Sequence, residues 1–168
     1  MSCCSFFGHR GTSQTEELKQ KVREAVERLI VEEEVDTFLF GSRSKFDDLC
    51  HMVVTEMKDK YPHIQRVVYL CKHESGCLIG DGSEEKRRIK EIAGEDVYVR
   101  EFEKINKSEK VNSAGRAAYV ERNEWMIDES DVVIIYLEES QKNKKSGTWL
   151  MSQYANRRKK KTYIFEKK

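Results

Sequence analysis

The run Val132-Val133-Ile134-Ile135-Tyr136-Leu137 decides the fold. Six consecutive apolar residues bounded by polar ones are too few for a buried helix, and their β-branched content suits a strand. A strand with no polar alternation is covered on both faces, as in a parallel sheet flanked by helices. Working outward, shorter β-type runs alternate with longer helical patterns. Cys3 to Phe7 reads as a strand ending at Gly8-His9-Arg10-Gly11, and a helix follows from Thr15 to Glu33 with Leu18, Val22, Val26, Leu29 and Ile30 on one face. Thr37 to Phe40 is a second strand, ending at Gly41. The helix from Ser44 to Lys60 turns Phe46, Leu49, Cys50, Val53 and Met57 inward and stops before Pro62. Arg66 to Cys71 is a third strand. A helix from Ala114 to Glu129 leads into the deciding run, and a helix from Ser146 to Arg158 and a last strand from Thr162 to Phe165 follow it. Such alternation predicts an α/β fold: a Rossmann-like three-layer sandwich with a mainly parallel sheet of about five or six strands. Residues 72–111 are less regular. They hold a Gly-rich turn (Gly76 to Gly82), a charged helix (Glu84 to Ile92) and a strand (Val97 to Val99), and read as a lid or insertion within one domain spanning residues 1–168.

Bulk composition excludes several classes. With 31 Lys and Arg against 30 Asp and Glu, the net charge is +1, so no whole-molecule field draws the chain to nucleic acid or membrane. The five cysteines, Cys3, Cys4, Cys50, Cys71 and Cys77, show no CxxC pair, which reads as free thiols in a reducing compartment. No run reaches membrane-spanning length and no secretory leader is visible, so the expectation is a cytoplasmic protein. His9, His51, His63 and His73 are scattered, so no metal site is expected, and no cofactor is implied. Cys77 has no base beside it in sequence, which argues against a thiol mechanism.

In open α/β sheets, ligands bind beyond the carboxyl ends of the strands. Three strand-to-helix loops there share a pattern. After the first strand, Gly8 and Gly11 permit a sharp turn, Arg10 can pair with a phosphate and His9 can bond a ribose or base. After the second, Gly41-Ser42-Arg43 leads into Ser44, an N-cap with Asp47 three residues on in a capping-box-like spacing; the helix start is also an anion site. After the deciding strand, the polar loop Glu138 to Lys145 ends at Ser146-Gly147-Thr148, where Thr148 supplies a hydroxyl at another helix start. Each loop also reads as an ordinary turn or cap, and the signal lies in their sharing one edge. On the helix before the deciding strand, Arg122 and Met126 share a face. An arginine on the sheet side needs a partner: a ligand phosphate, Asp131 or Asp47. Asn123 adjoins it. Trp149 can stack on a base or join the core. The basic run Arg157 to Lys161 reads as a solvated helix end rather than a nucleic-acid contact.

The ordered series Phe7-Gly8-His9-Arg10, Thr37 to Ser42, Phe46-Asp47, Lys60-Tyr61-Pro62, Gly115 to Asn123, Met126-Ile127-Asp128 and Lys145-Ser146-Gly147-Thr148 through Tyr154-Ala155 resembles the SLOG superfamily over nearly the whole chain. That group includes the "lonely guy" phosphoribohydrolases, the Rossmann-like domain of bacterial DNA-processing proteins and small proteins of unknown function from bacteria and phages. The resemblance implies a pocket for a nucleotide or nucleotide sugar. It also implies that Arg122, with Met126, matches the hydrolases' catalytic arginine, and that Gly147-Thr148 matches their Gly-Thr. Their glutamate, three residues on, is Met151 here, which cannot act as nucleophile or base. The hydrolases' glycine-rich loop is replaced by Gln141 to Lys145, and the second glycine of the family's Gly-Gly-x-x-Gly-x-Asp pattern is Ser42. The resemblance thus implies binding without glycosidic hydrolysis. The ligand-binding set is Gly8, His9, Arg10, Gly41, Ser42, Arg43, Asp47, Arg122, Asn123, Ser146, Gly147 and Thr148, with Glu121 another ribose contact. The expected function is to sense or sequester a nucleotide-derived signalling molecule, of the ADP-ribose or cyclic-nucleotide type, in bacterial defence or a phage's counter to it. The expected partners are that small molecule and further copies of the chain, with no membrane and no nucleic acid. The alternative is a nucleotide or nucleoside N-glycosidase using Glu121, Asp47 or Glu138, and a second alternative is a nucleic-acid-binding protein.

Overall fold

A computed structural model describes residues 2–8, 14–41, 44–72, 78–79, 100–108, 116–138 and 146–167. The elements in chain order are β1 (Cys3–Gly8), α1 (Glu16–Glu32), β2 (Thr37–Phe40), α2 (Lys45–Lys60), β3 (Gln65–Leu70), β4 (Leu78–Ile79), β5 (Glu101–Phe102), β6 (Lys104–Lys107), α3 (Arg116–Glu129), β7 (Val132–Glu138), α4 (Gly147–Arg157) and β8 (Lys161–Lys167). Six strands form a sheet in the order β6-β3-β2-β1-β7-β8, and every pair in it is parallel. β4 and β5 form a separate parallel pair.

The sheet is a three-layer sandwich because its side chains alternate between two helical layers. Cys4, Phe6, Phe38, Phe40, Val68, Ile134 and Tyr136 pack with the buried stripes of α1 and α2. Cys3, Phe7, Leu39, Val67, Tyr69, Val133, Ile135 and Leu137 pack with Met126, Ile127, Met151 and Ala155 of α3 and α4. The deciding run is buried throughout, as a two-sided strand requires. Each large side chain withdrawn from water here contributes about 1.5–3 kcal/mol.

Helix starts are fixed locally. Thr15 Oγ1 accepts from Leu18 N at 3.1 Å, Ser44 Oγ from Asp47 N at 3.1 Å and Ser146 Oγ from Trp149 N at 3.3 Å. The capping box anticipated at α2 is only half made: Ser44 caps, but the Asp47 carboxylate turns to Arg100. β5 and β6, absent from the sequence reading, fill part of the irregular stretch, and β6 is the sheet's edge beside β3. The helix expected at Glu84 to Ile92 and the strand at Val97 to Val99 lie outside the described residues.

From β1 the chain steps outward through β2 and β3 to β6. It then returns through α3 to β7 on the other side of β1. The reversal between β1 and β7 is the topological switch point, where crevices open beyond the carboxyl ends of strands. Gly8 of β1 stands opposite Tyr136 of β7 in register at this point.

Candidate functional site

At the switch point, Gly8 is crowded by α2. A Cβ at Gly8 would lie 2.3 Å from two ring atoms of Phe46, whose ring stacks on Tyr136 with centroids 5.5 Å apart. Gly41, one residue past β2, is crowded from the opposite face. A Cβ there would meet Met126 Sδ at 2.9 Å and Arg122 Nε at 3.1 Å. Gly8 was expected to permit a turn and Gly41 to line a ligand; at both positions helix packing also leaves no room for a side chain. Gly147 differs, since a Cβ there would have nothing within 4 Å.

Around Gly41 the fold gathers charge. Arg122 is only 2% exposed. Its Nε donates to Asn123 Oδ1 at 3.2 Å, and its guanidinium carbon lies 5.2 Å from the Tyr119 ring centroid. Asp47, 4% exposed, is ion-paired with Arg100, itself 8% exposed. Arg100 Nη2 also donates to the Gly41 carbonyl at 3.1 Å, its Nε is 3.9 Å from Asp48 Oδ1, and its guanidinium stacks 5.1 Å above the Phe102 ring. Burial pushes the Asp47 carboxyl up to about 6, although the charges of Arg100 and Arg122 pull the other way. Two buried guanidinium groups and one poised carboxyl therefore meet at the carboxyl end of β2.

The expected partners of Arg122 sort out accordingly. Asp131 stands at the amino end of β7, where its Oδ2 accepts from Cys3 N at 2.9 Å, so it serves β1 rather than Arg122. Asp47 is within electrostatic reach of Arg122 and bonded to Arg100. The structure thus brings Gly41, Asp47, Arg122 and Asn123 together. Gly8 sits on the neighbouring strand, and Ser146, Gly147 and Thr148 open α4 after β7. Glu121 is exposed on α3 and Glu138 is half-buried at the end of β7. His9, Arg10, Ser42 and Arg43, the loop Gln141 to Lys145, and Cys77 lie outside the described residues.

Arg100 is the residue that sequence reasoning missed. Its signal was a basic residue directly after the β-type run Val97 to Val99, a placement like that of Arg10 after the first strand. Met151 is 3% exposed, in the core against the α3/α4 face of the sheet. Trp149 packs partly against the same cluster. Two members of the basic run at the end of α4 are paired with acids and a third with backbone: Arg158 Nε lies 2.9 Å from Asp128 Oδ1, Lys161 pairs with Glu33, and Lys160 Nζ donates to the Asp128 backbone carbonyl at 3.2 Å. Cys3, Cys4, Cys50 and Cys71 are buried free thiols. Among the described residues, no helix is long and apolar enough to cross a membrane, and no group of three or more His, Cys, Asp or Glu side chains is placed to hold a metal.

An all-parallel sheet with this strand order, helices on both faces and polar groups gathered past the strand ends defines a Rossmann-like α/β protein. Within that class the chain belongs to the YspA SLOG family, whose YpsA model matches residues 6–167. It is similar to YoqJ of Bacillus subtilis (strain 168), an uncharacterized SPbeta prophage-derived protein. The identity is 31% over 149 residues, covering 88% of this chain and 82% of YoqJ.

Proposed function

We propose that this chain is a single-domain cytoplasmic protein that binds a nucleotide or nucleotide-derived signalling molecule, of the ADP-ribose or cyclic-nucleotide type, as a sensor or sequestering protein. The observation that carries the reading is the buried Arg122 guanidinium beside Gly41, at the sheet edge where doubly wound proteins take ligands. Arginine matches phosphate geometry with paired donors, and the N-termini of α2 and α4 add oriented amides at the same edge. In this reading Gly8, His9, Arg10, Gly41, Ser42, Arg43, Asn123, Ser146, Gly147 and Thr148 line the ligand. Met151 favours binding over glycosidic cleavage, because a buried thioether stands where the resemblance implies a catalytic acid. The prophage origin in YoqJ's description suits a role in bacterial defence or a phage's counter to it. A homo-oligomer is the expected assembly.

One observation favours a second reading, an N-glycosidase. Asp47 is a buried carboxyl poised at about 6, the range useful for general acid–base work. Isothermal titration with AMP, ADP-ribose and a cyclic dinucleotide, followed by chromatography of the mixtures, separates the two. Binding near or below about 1 µM, equivalent to about 8 kcal/mol, with intact ligand recovered, is the expected result. Product release abolished by Asp47→Asn would instead make the chain an enzyme, and silence across the panel would remove both readings.

A further inference from the structure

Four charged side chains meet at the carboxyl end of β2. Asp47 and Asp48 come from the first turn of α2, Arg122 from α3, and Arg100 from the residue just before β5. Cys50 and His51, also on α2, are further titratable groups nearby among the described residues; His51 Nε2 lies 2.8 Å from the Glu101 carbonyl oxygen, and Cys50 is a buried thiol. Arg100 is bonded wholly within the protein: to the Asp47 carboxylate, to the Gly41 carbonyl and toward Asp48. Its guanidinium carbon also lies 5.1 Å from the Phe102 ring centroid. Such an arginine is held too firmly to serve as the ligand's own contact. Its effect is on Asp47, which is also in the field of Arg122. An unneutralised carboxylate buried there would offset the charge of Arg122 and repel an incoming phosphate, strongly so where little water screens it.

We propose that Arg100 is a positioning residue for anion binding at this edge: it neutralises Asp47 and bridges its carboxylate to the Gly41 carbonyl, donating to both, so that the field beside Arg122 favours a phosphate. This rests on the reading of the edge as a phosphate-binding site.

The test is a four-protein cycle of wild type, Arg100→Gln, Asp47→Asn and the double variant, titrated with inorganic phosphate and with ADP-ribose. Arg100→Gln weakens both probes about tenfold or more, because the Asp47 charge is uncovered. Adding Asp47→Asn restores affinity to within about threefold of wild type, since no carboxylate is left to neutralise. The Arg100→Gln protein also regains affinity as pH falls, and does so above the value of about 6 that Asp47 has beside Arg100, because the charge that pulls its carboxyl down is gone; the double variant shows no such recovery. Should Arg100→Gln fail to fold, the double variant alone decides: it must fold and bind as wild type does. A double variant as weak as Arg100→Gln overturns the proposal, because Arg100 would then touch the ligand itself. Wild-type affinity in Arg100→Gln overturns it too. Wild type binding neither probe overturns the phosphate reading and this inference together, whereas normal wild-type binding with an unaffected variant defeats the inference alone.

Discussion

The two ends of the sheet are built differently. At the amino end, charges close on one another. Asp131 caps Cys3 N, Arg66 clasps Glu103 with Lys58 alongside, Lys161 and Tyr163 hold Glu33, and Asp128 takes Tyr154 and Arg158. At the carboxyl end, backbone is pressed against helices at Gly8 and Gly41, and charge is gathered in the buried group of Arg100, Asp47 and Arg122. The acids behave oppositely as well. Glu33 and Glu103 are held below the usual glutamate range, the first by hydrogen bonds from Lys161 and Tyr163, the second by Arg66 and Lys58 outweighing its burial. Asp47 is pushed up by burial. One end pairs its charges, and the other buries charge in a place that costs stability, which is what the proposed binding site calls for.

The largest expected effect breaks the carboxyl end. Gly8→Ala drives a methyl into the Phe46 ring and should cost about 3 kcal/mol or more in denaturant unfolding. Gly41→Ala meets the flexible ends of Met126 and Arg122 and should cost less, about 1–2 kcal/mol. Gly147→Ala meets open space and should be neutral or stabilising by up to about 1 kcal/mol. A Gly147→Ala protein that is stable yet loses ligand would mark the α4 start as a contact surface. Equal costs at all three positions would erase the distinction.

The pH dependence sharpens the comparison. Asp47 has a folded pKa above its unfolded one, so its contribution to stability is present below about 4 and lost as pH rises through about 6. Glu103 has a lowered one, so its contribution is present above about 4.5 and lost as pH falls below that. Stability profiles should therefore lose their decline between about pH 4 and 6 in Asp47→Asn, and lose part of the acid-side fall in Glu103→Gln. Identical profiles in the two variants would contradict the assignment.

The smallest effects come from the caps. Ser44→Ala and Ser146→Ala each remove an N-cap hydroxyl and should cost about 1 kcal/mol, read as a shift in the denaturation midpoint.

The amino-to-carboxyl order of the fold was legible because period and punctuation agree. The stripe Leu18, Val22, Val26, Leu29, Ile30 and the run Val132 to Leu137 are buried as read, and Thr15, Ser44 and Ser146 cap the helices that follow them. β6 escaped because an edge strand needs little apolar surface: Lys104-Ile105-Asn106-Lys107 carries two exposed lysines and reads as loop. At the site, Arg122 was legible through its spacing to Met126. Arg100 was not, because its partner Asp47 lies 53 residues away in sequence and no local pattern joins them. The capping spacing of Ser44 and Asp47 concealed that ion pair, since a local partner seemed to explain the acid. The packing role of Gly8 and Gly41 was not legible, because glycine serves backbone turning, ligand approach and helix packing alike and the crowding atoms of Phe46, Met126 and Arg122 are distant in sequence.

The central claim is that the carboxyl edge around Arg122 holds a phosphate-bearing small molecule. Native mass spectrometry of the protein purified from cells, with the released small molecules identified after denaturation, tests it most directly. A stoichiometric nucleotide-derived mass that disappears in Arg122→Gln, with the fold kept as judged by near-ultraviolet circular dichroism, is the predicted result. An empty wild-type protein that also shows no thermal shift with a broad nucleotide panel would contradict the claim and leave the arginine cluster as structural.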